Sequence, residues 1–392
     1  MDPIRNPYAP GAGQRPPELA GRGDELRAFD IALERVAKGR PERSVVLVGL
    51  RGVGKTVLLG AMRSAAVRSG WGTGKLEAHP DASIRRPLAS ALHQALRELA
   101  LPDDEDARHL LGVVKSFAQS PAAKSARERW NPGINVSAVP GRADSGDIEI
   151  DLLEVLTDLG GAAGDRGKGV AIFIDELQDL GADDVSALCA AVHEISQARL
   201  PLMVVGAGLP HLPAVLAGSK SYSERLFRYV AIGRLDRLAA DAALVLPARD
   251  EEADFTPDAL DALYAATSGY PYFVQAYGKA VWDVAPASPV TTGDVEVAAP
   301  QAEADLAVGF FGSRYDRATP GERDYLRAMA ELQDGSDDSV ATADIAVHLG
   351  RKPQSLSPAR DALLKKGLVF AGERGRVAFT VPHFGRYLRQ HP

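Results

Sequence analysis

Apolar residues along this chain come in two patterns. Short unbroken runs at residues 45–48, 170–174, 202–205 and 229–232 have the length and β-branched content of buried strands. A further strand is expected at 75–78. Between them, apolar residues recur at three- and four-residue spacing. Leu26, Phe29, Ile31, Leu33 and Val36 mark one helix, Leu88, Ala91, Leu92, Ala95, Leu96 and Leu99 another over 84–99, and further helices are expected at 150–159 and 183–199. Such alternation of strands and helices predicts a doubly wound parallel sheet. From Leu235 onward the pattern is helical. Thr256-Pro257 opens one helix, Gly269-Tyr270-Pro271 breaks it, and 272–282 and 294–311 follow, with the Tyr and Trp of 272–282 at core spacing.

The first 17 residues are Pro- and Gly-rich without periodicity and read as an extended arm. Residues 101–148 read as an insertion with one helix and one short strand. Its acidic cluster Asp103–Asp106 and basic residues Lys124, Arg127 and Arg129 are expected to be solvated faces.

The first strand runs into Gly49-Leu50-Arg51-Gly52-Val53-Gly54-Lys55-Thr56, then into Val57 and a second apolar run. This is G-x-x-x-x-G-K-[ST] between a strand and a helix, the context the motif requires. Glycines let consecutive backbone N–H groups turn toward one anion, and the next helix presents its N-terminus to it. Lys55 is then expected on the β/γ-phosphates and the Thr56 hydroxyl on Mg²⁺. The run 170–174 ends in Asp175-Glu176. Asp175 is the expected second holder of Mg²⁺ and Glu176 the group that polarises an attacking water.

The last 80 residues are distinct. Thr319-Pro320-Gly321-Glu322 is a capping box opening one helix; 342–349 gives a second, and Ser357-Pro358 a third that ends at Gly367. Residues 368–370 and 377–381, joined by a Gly-rich turn, make a hairpin. Three helices and a hairpin in this order predict a winged helix. Arg351, Lys352, Arg360, Lys365, Lys366, Arg374 and Arg376 face only Asp361 and Glu373 over the same span, whereas the whole chain carries a net charge of −7. A duplex-DNA contact therefore has one local patch to use. The single cysteine, Cys189, lies in an apolar helical pattern and is read as packing. With no intrachain disulfide possible, no signal-peptide pattern and no run of transmembrane length, the expected location is cytoplasmic, without a membrane partner.

The order of these parts resembles the AAA+ ATPases, in particular the origin-recognition-like initiator group. It rests on Gly21-Arg22 and Glu25-Leu26 ahead of the P-loop, on Gly49–Thr56, Ile174-Asp175-Glu176, a strand ending at Gly206, a helical lid and a C-terminal winged helix. The resemblance implies an αβα nucleotide domain over 18–235, a lid over 236–312 and a winged-helix domain over 313–392. ATP or ADP would lie between the first two, with Gly21 and Arg22 near the adenine. Arg225, just before the fifth strand, stands where such proteins often place an arginine finger acting on a neighbouring subunit, which implies an oligomer; Arg228 and Arg234 compete for the role. Two departures stand out. The fourth strand ends in Gly206-Ala207-Gly208 where a polar sensor is usual, and Gly269-Tyr270-Pro271 holds no lid arginine. Slow or partner-dependent hydrolysis follows.

Two functions compete, beside a third reading as a conformational clamp that binds ATP and barely turns over. One is an ATP-driven switch acting on duplex DNA through its winged helix. The other is a STAND-like signalling ATPase, whose winged helix packs against the nucleotide and makes protein contacts. The position of the basic residues relative to the ATPase core separates them.

Overall fold

The computed structural model describes every residue except 12, 81, 100–104, 120–135, 334–338, 372, 373, 382 and 392. Five strands, β1 (Ser44–Val48), β2 (Gly72–Glu77), β3 (Val170–Asp175), β4 (Leu202–Gly208) and β5 (Phe227–Ala231), form one parallel sheet in the order β2-β3-β4-β1-β5. Every residue of β3 and β4 is buried, because helices cover both faces; that is why these strands read as unbroken apolar runs. The covering helices are α1 (Gly23–Ala37), α2 (Lys55–Arg68), α3 (Arg85–Glu98), α4 (Glu105–Gln119), α5 (Ile148–Asp165), α6 (Ala182–Gln197), α7 (Leu212–Ser219) and the short α8 (Ser223–Leu226). Cys189 is fully buried in α6.

The second strand starts three residues before the expected 75–78. A Cβ at Gly74 would run into the Ala91 carbonyl of α3, so its glycines let α3 lie directly on the sheet. In the insertion, α4 is the expected helix, and no strand occurs among its described residues. Lys124, Arg127, Arg129, Asp103 and Asp104 lie outside the described residues. Arg85 and Asp151, both buried, pair at 2.8 Å and tie α3 to α5.

Helices α9 (Arg237–Asp250), α10 (Pro257–Thr267), α11 (Pro271–Val284) and α12 (Thr292–Leu306) form the helical unit beside the sheet. Phe273, Tyr277, Val281 and Trp282 of α11 fill its core, as their spacing implies. The N-terminal arm lacks long elements but packs on this unit. Tyr8 is buried, its hydroxyl donates to the Leu244 carbonyl at 2.6 Å, and the Trp282 indole donates to the Asp2 carbonyl at 2.9 Å.

After α12 the chain widens into a π-helical turn, Ala307–Gly312, then α13 (Ser313–Tyr315) and α14 (Pro320–Leu332). The capping box of α14 forms as expected. The rest is β6 (Val340–Ala341), α15 (Thr342–His348), α16 (Pro353–Lys365), β7 (Val369–Phe370), β8 (Arg376–Phe379) and α17 (Phe384–Gln390), with an antiparallel sheet in the order β6-β8-β7. This unit contains the three expected helices, α14–α16, and the expected hairpin β7–β8, with β6 and α17 added. Its third helix begins at Pro353, not at Ser357-Pro358: Pro353 takes the N1 position, where a missing N–H costs nothing, and Pro358 rides inside the helix. Among the described residues no helix is long and apolar enough to cross a membrane.

Candidate nucleotide site

The loop between β1 and α2 sits at the carboxyl ends of the strands, where β1 is flanked by β4 and β5 and the chain leaves for the far edge of the sheet. Gly49 closes the strand by donating to the Gly208 carbonyl at 3.2 Å, and a Cβ on it would strike the Ile232 carbonyl. Gly54 caps α2 in the left-handed region at φ 89°, a conformation that L side chains rarely adopt. Lys55, mostly buried, folds back to donate to the Gly49 and Leu50 carbonyls at 2.9 and 2.8 Å. Burial pushes its ammonium down to about 8; Arg51 adds to the shift, while Glu176 and Asp175 oppose it.

A cavity of about 320 Å³ opens over this loop. Arg51, Gly52, Val53, Gly54, Lys55, Thr56 and Val57 line it, together with Arg22, Asp175 and Glu176. Gly49 and Leu50 lie beneath it and accept from Lys55. Arg22 is held by the Val53 and Gly233 carbonyls, bracing the P-loop from behind. Gly21 packs against Ala239 and does not line the cavity. Thr56 and the buried Asp175 both line the cavity, and a hydroxyl and a carboxylate are the hard oxygen donors that Mg²⁺ takes.

Glu176 stands in the left-handed region at φ 48°, a strained backbone of the kind that clusters at functional sites. Both its carboxylate oxygens are engaged. Oε1 accepts from Arg51 Nη1 at 3.2 Å, and Oε2 accepts from Gln178 Nε2 at 2.6 Å. Gln178 was not anticipated. Its Oε1 accepts from the Leu209 N–H at 3.1 Å, which ties Glu176 to the end of β4. Gly206 is small because Leu177 fills the space a side chain would need. Proximity of Gln178 to Glu176 in sequence was the available signal.

Three further walls were also missed. Gly11, Gly13, Gln14 and Pro16 of the arm border the cavity, Tyr272 and Gln275 face it from α11, Phe310 faces it from the end of the lid and Arg314 from just past it. The sequence pattern assigned Tyr272 to the helix core; it is half-buried on the cavity instead. The C-terminal unit reaches the P-loop itself. The Arg51 N–H donates to the Thr380 carbonyl at 2.9 Å, and the Arg51 guanidinium lies against Gly367.

The other candidates stand apart from the cavity. Arg225 is exposed on α8 and has no ion-pair partner among the described residues; Arg234 is exposed and Arg228 half-buried. Arg351, Lys352, Lys365 and Arg374 are exposed. Arg360 is half-buried beside Asp361 at 3.4 Å. Lys366 is turned onto Glu322 at 2.6 Å and the Arg317 carbonyl, and Arg376 donates to Ser339 Oγ at 2.8 Å. Lys366 and Arg376 thus serve the packing of the C-terminal unit.

A parallel sheet, a glycine loop opening a helix, a lysine and threonine on that loop, and an acidic pair on a neighbouring strand define a P-loop nucleotide-binding protein. Residues 18–205 match the family described as AAA ATPase domain. Those residues, which carry the P-loop and the acidic pair, form an AAA ATPase domain. Residues 308–388 match a family described as a domain of unknown function (DUF8462). No curated protein matches. Among solved structures, the Walker-type ATPase PABY2304 of Pyrococcus abyssi is similar at 18% identity, with 96% of this chain and 97% of that one covered and a TM-score of 0.59, which shows the shared fold. Looser likenesses are the Aeropyrum pernix Orc1 protein in complex with DNA (15% identity, 96% and 94% covered, TM-score 0.44) and the Thermotoga maritima RuvB Holliday junction branch migration motor (17%, 96% and 99%, 0.46).

Proposed function

We propose that the chain binds ATP with Mg²⁺, hydrolyses it slowly to ADP and phosphate, and uses the nucleotide state to set how its C-terminal winged-helix domain sits on the P-loop. The observation that carries this reading is the bond from the Arg51 N–H to the Thr380 carbonyl, which joins the phosphate loop directly to the C-terminal domain. Domains over 18–235, 236–312 and 313–392 follow from the same reading, with the arm of residues 1–17 seated on the second.

In this mechanism the P-loop N–H groups and Lys55 neutralise the phosphates, and Lys55 must leave the Gly49 and Leu50 carbonyls to do so. Mg²⁺, held through Thr56 and Asp175, would supply charge neutralisation on the phosphate oxygens. Glu176 polarises the attacking water once Arg51 releases one of its oxygens. Arg225, exposed and unpaired among the described residues, is available to a neighbouring subunit's nucleotide.

The ligand of the C-terminal domain is proposed to be duplex DNA, because Arg351, Lys352, Lys365 and Arg374 remain exposed while the domain is docked. A second reading, the STAND-like regulator, is favoured by the docking itself, since a winged helix seated on a P-loop suits a nucleotide-held resting state. Duplex binding measured across a salt series, with Lys365→Glu and Arg374→Glu, separates the two. Binding that weakens with salt and is lost in the variants supports DNA. Absent or unaltered binding leaves the regulator as the function.

A further inference from the structure

Besides Arg22, which backbone carbonyls hold, the cavity receives a cation that neither the P-loop nor the lid helices supply. Where the lid sequence runs Gly269-Tyr270-Pro271 without an arginine, Tyr272 follows, and its N–H donates to the Gly52 carbonyl at 3.3 Å. The Tyr272 ring stacks on Phe310 at 4.7 Å, and Phe310 also lies against Gly52. Phe310 gets there because α12 widens into the π-turn Ala307–Gly312, a form of helix frequent at functional sites. One turn later Arg314 folds back over it. Its guanidinium sits 4.3 Å from the Phe310 ring centre and donates to the Phe310 carbonyl. Residues 310 and 314 both fall inside the 308–388 match, so they belong to the C-terminal module by sequence as well.

Arg314 is half-buried, lines the same cavity as Lys55, Thr56, Asp175 and Glu176, and has no carboxylate within ion-pair distance among the described residues. Burial pushes its pKa down to about 10, helped by the like charges of Arg51 and Arg317 and opposed by Tyr272 and Glu176; the group stays charged at neutral pH. Arg51 and Lys55 line the same cavity. Four cations, Arg22, Arg51, Lys55 and Arg314, and three carboxylates, Glu18, Asp175 and Glu176, line the cavity; with one carboxylate meant for a metal, the balance leaves room for an anion. A packing role alone would not need a charged group there: a methionine or leucine would cover Phe310 as well.

We propose that Arg314 contacts the terminal phosphate of the bound triphosphate, so that ATP and ADP are told apart by the C-terminal module instead of by the lid. Resting on the ATP-binding reading above, this gives that reading its means of regulation. Loss of the terminal phosphate removes the partner of a side chain rooted in the segment that leads into the winged helix, and the seating of that domain follows the nucleotide.

The test is equilibrium binding of Mg-ATPγS and Mg-ADP to the full chain, by calorimetry, for the wild type, Arg314→Ala, Arg314→Gln, Arg314→Lys and Lys55→Ala. The glutamine variant keeps the side chain's bulk should the alanine variant fold poorly. Expected is a ~10- to 100-fold weaker affinity for ATPγS in the alanine and glutamine variants, the range for one charge-assisted hydrogen bond, with ADP affinity within about twofold of wild type and the lysine variant intermediate. Equal weakening for both nucleotides would reduce Arg314 to a packing residue, and no weakening would remove it from the site; either overturns the proposal. Lys55→Ala separates this failure from a deeper one: if it keeps both affinities, the cavity is not the nucleotide site at all.

Discussion

Arg51 Nη1 stands 3.2 Å from Glu176 Oε1, so an arginine of the phosphate loop holds the carboxylate that hydrolysis would need free. The same arginine donates its backbone N–H to Thr380 and lies against Gly367. Occupation of Glu176 and docking of the C-terminal unit thus run through one residue. Arg51→Ala, which removes the guanidinium from Glu176 and Gly367 but keeps the N–H bond to Thr380, is expected to raise basal ATP turnover severalfold and to make the C-terminal domain modestly more susceptible to limited proteolysis. Unchanged proteolysis together with reduced turnover would mean that Arg51 serves the phosphates and restrains nothing.

Gln178 bridges Glu176 Oε2, at 2.6 Å, and the Leu209 N–H, at 3.1 Å. It fixes the direction of the carboxylate and ties it to the end of β4. Gln178→Ala is expected to lower kcat about tenfold or more while leaving the Kd for ATP unchanged, the signature of a group that orients without binding. Gln178→Glu, which places a second carboxylate beside the first, is expected to be worse. A shift confined to Kd in single-turnover measurements would contradict this role.

The parts of the site legible in the sequence were those whose chemistry is written in consecutive residues. Arg51–Thr56 and Asp175-Glu176 line one cavity as their motifs imply, with Gly49 and Leu50 beneath it, because strand, turn and helix leave such runs little freedom. The walls contributed by Gly13, Tyr272, Phe310 and Arg314 come from elements brought together only by packing, and nothing local marks them. Periodicity even misled at Tyr272, since a helical position can face a ligand cavity as readily as a core. Gly72 and Gly74 hid the start of β2 for a similar reason: the close approach of α3 calls for glycine where strand propensity calls for a branched residue. In the C-terminal unit the charge count was right, but Lys366 and Arg376 are drawn into its own packing.

Arg85 and Asp151 form a buried ion pair at 2.8 Å, and Asp151 also accepts from the Ser145 N–H and hydroxyl at 2.8 and 2.7 Å. Removing the acid leaves a buried guanidinium uncompensated, a change that costs about 3–5 kcal/mol. Asp151→Ala is expected to lose that much stability in urea denaturation, and Asp151→Asn less, because the amide oxygen still accepts. A loss below about 1 kcal/mol for the alanine variant would show that water or a rearranged carboxylate replaces the pair.

Lys55 gives nucleotide binding a pH dependence of definite sign. Burial lowers its pKa to about 8 in the free protein, whereas a bound polyphosphate raises it. Below pH 8 the ammonium is already charged, so binding takes up no proton at this group and affinity is flat. Above pH 8 the free protein carries a neutral amine that must be protonated on binding. ATP affinity therefore falls as pH rises, by up to about tenfold per pH unit, until the bound-state pKa is passed. Titrations between about pH 7 and 9.5 are expected to show this break in the wild type. In Lys55→Arg, whatever its absolute affinity, the break is expected to vanish, because a guanidinium does not titrate in that range. A break of equal size in both proteins would assign the proton to another group, and a flat wild-type profile would mean that Lys55 stays charged in the empty site.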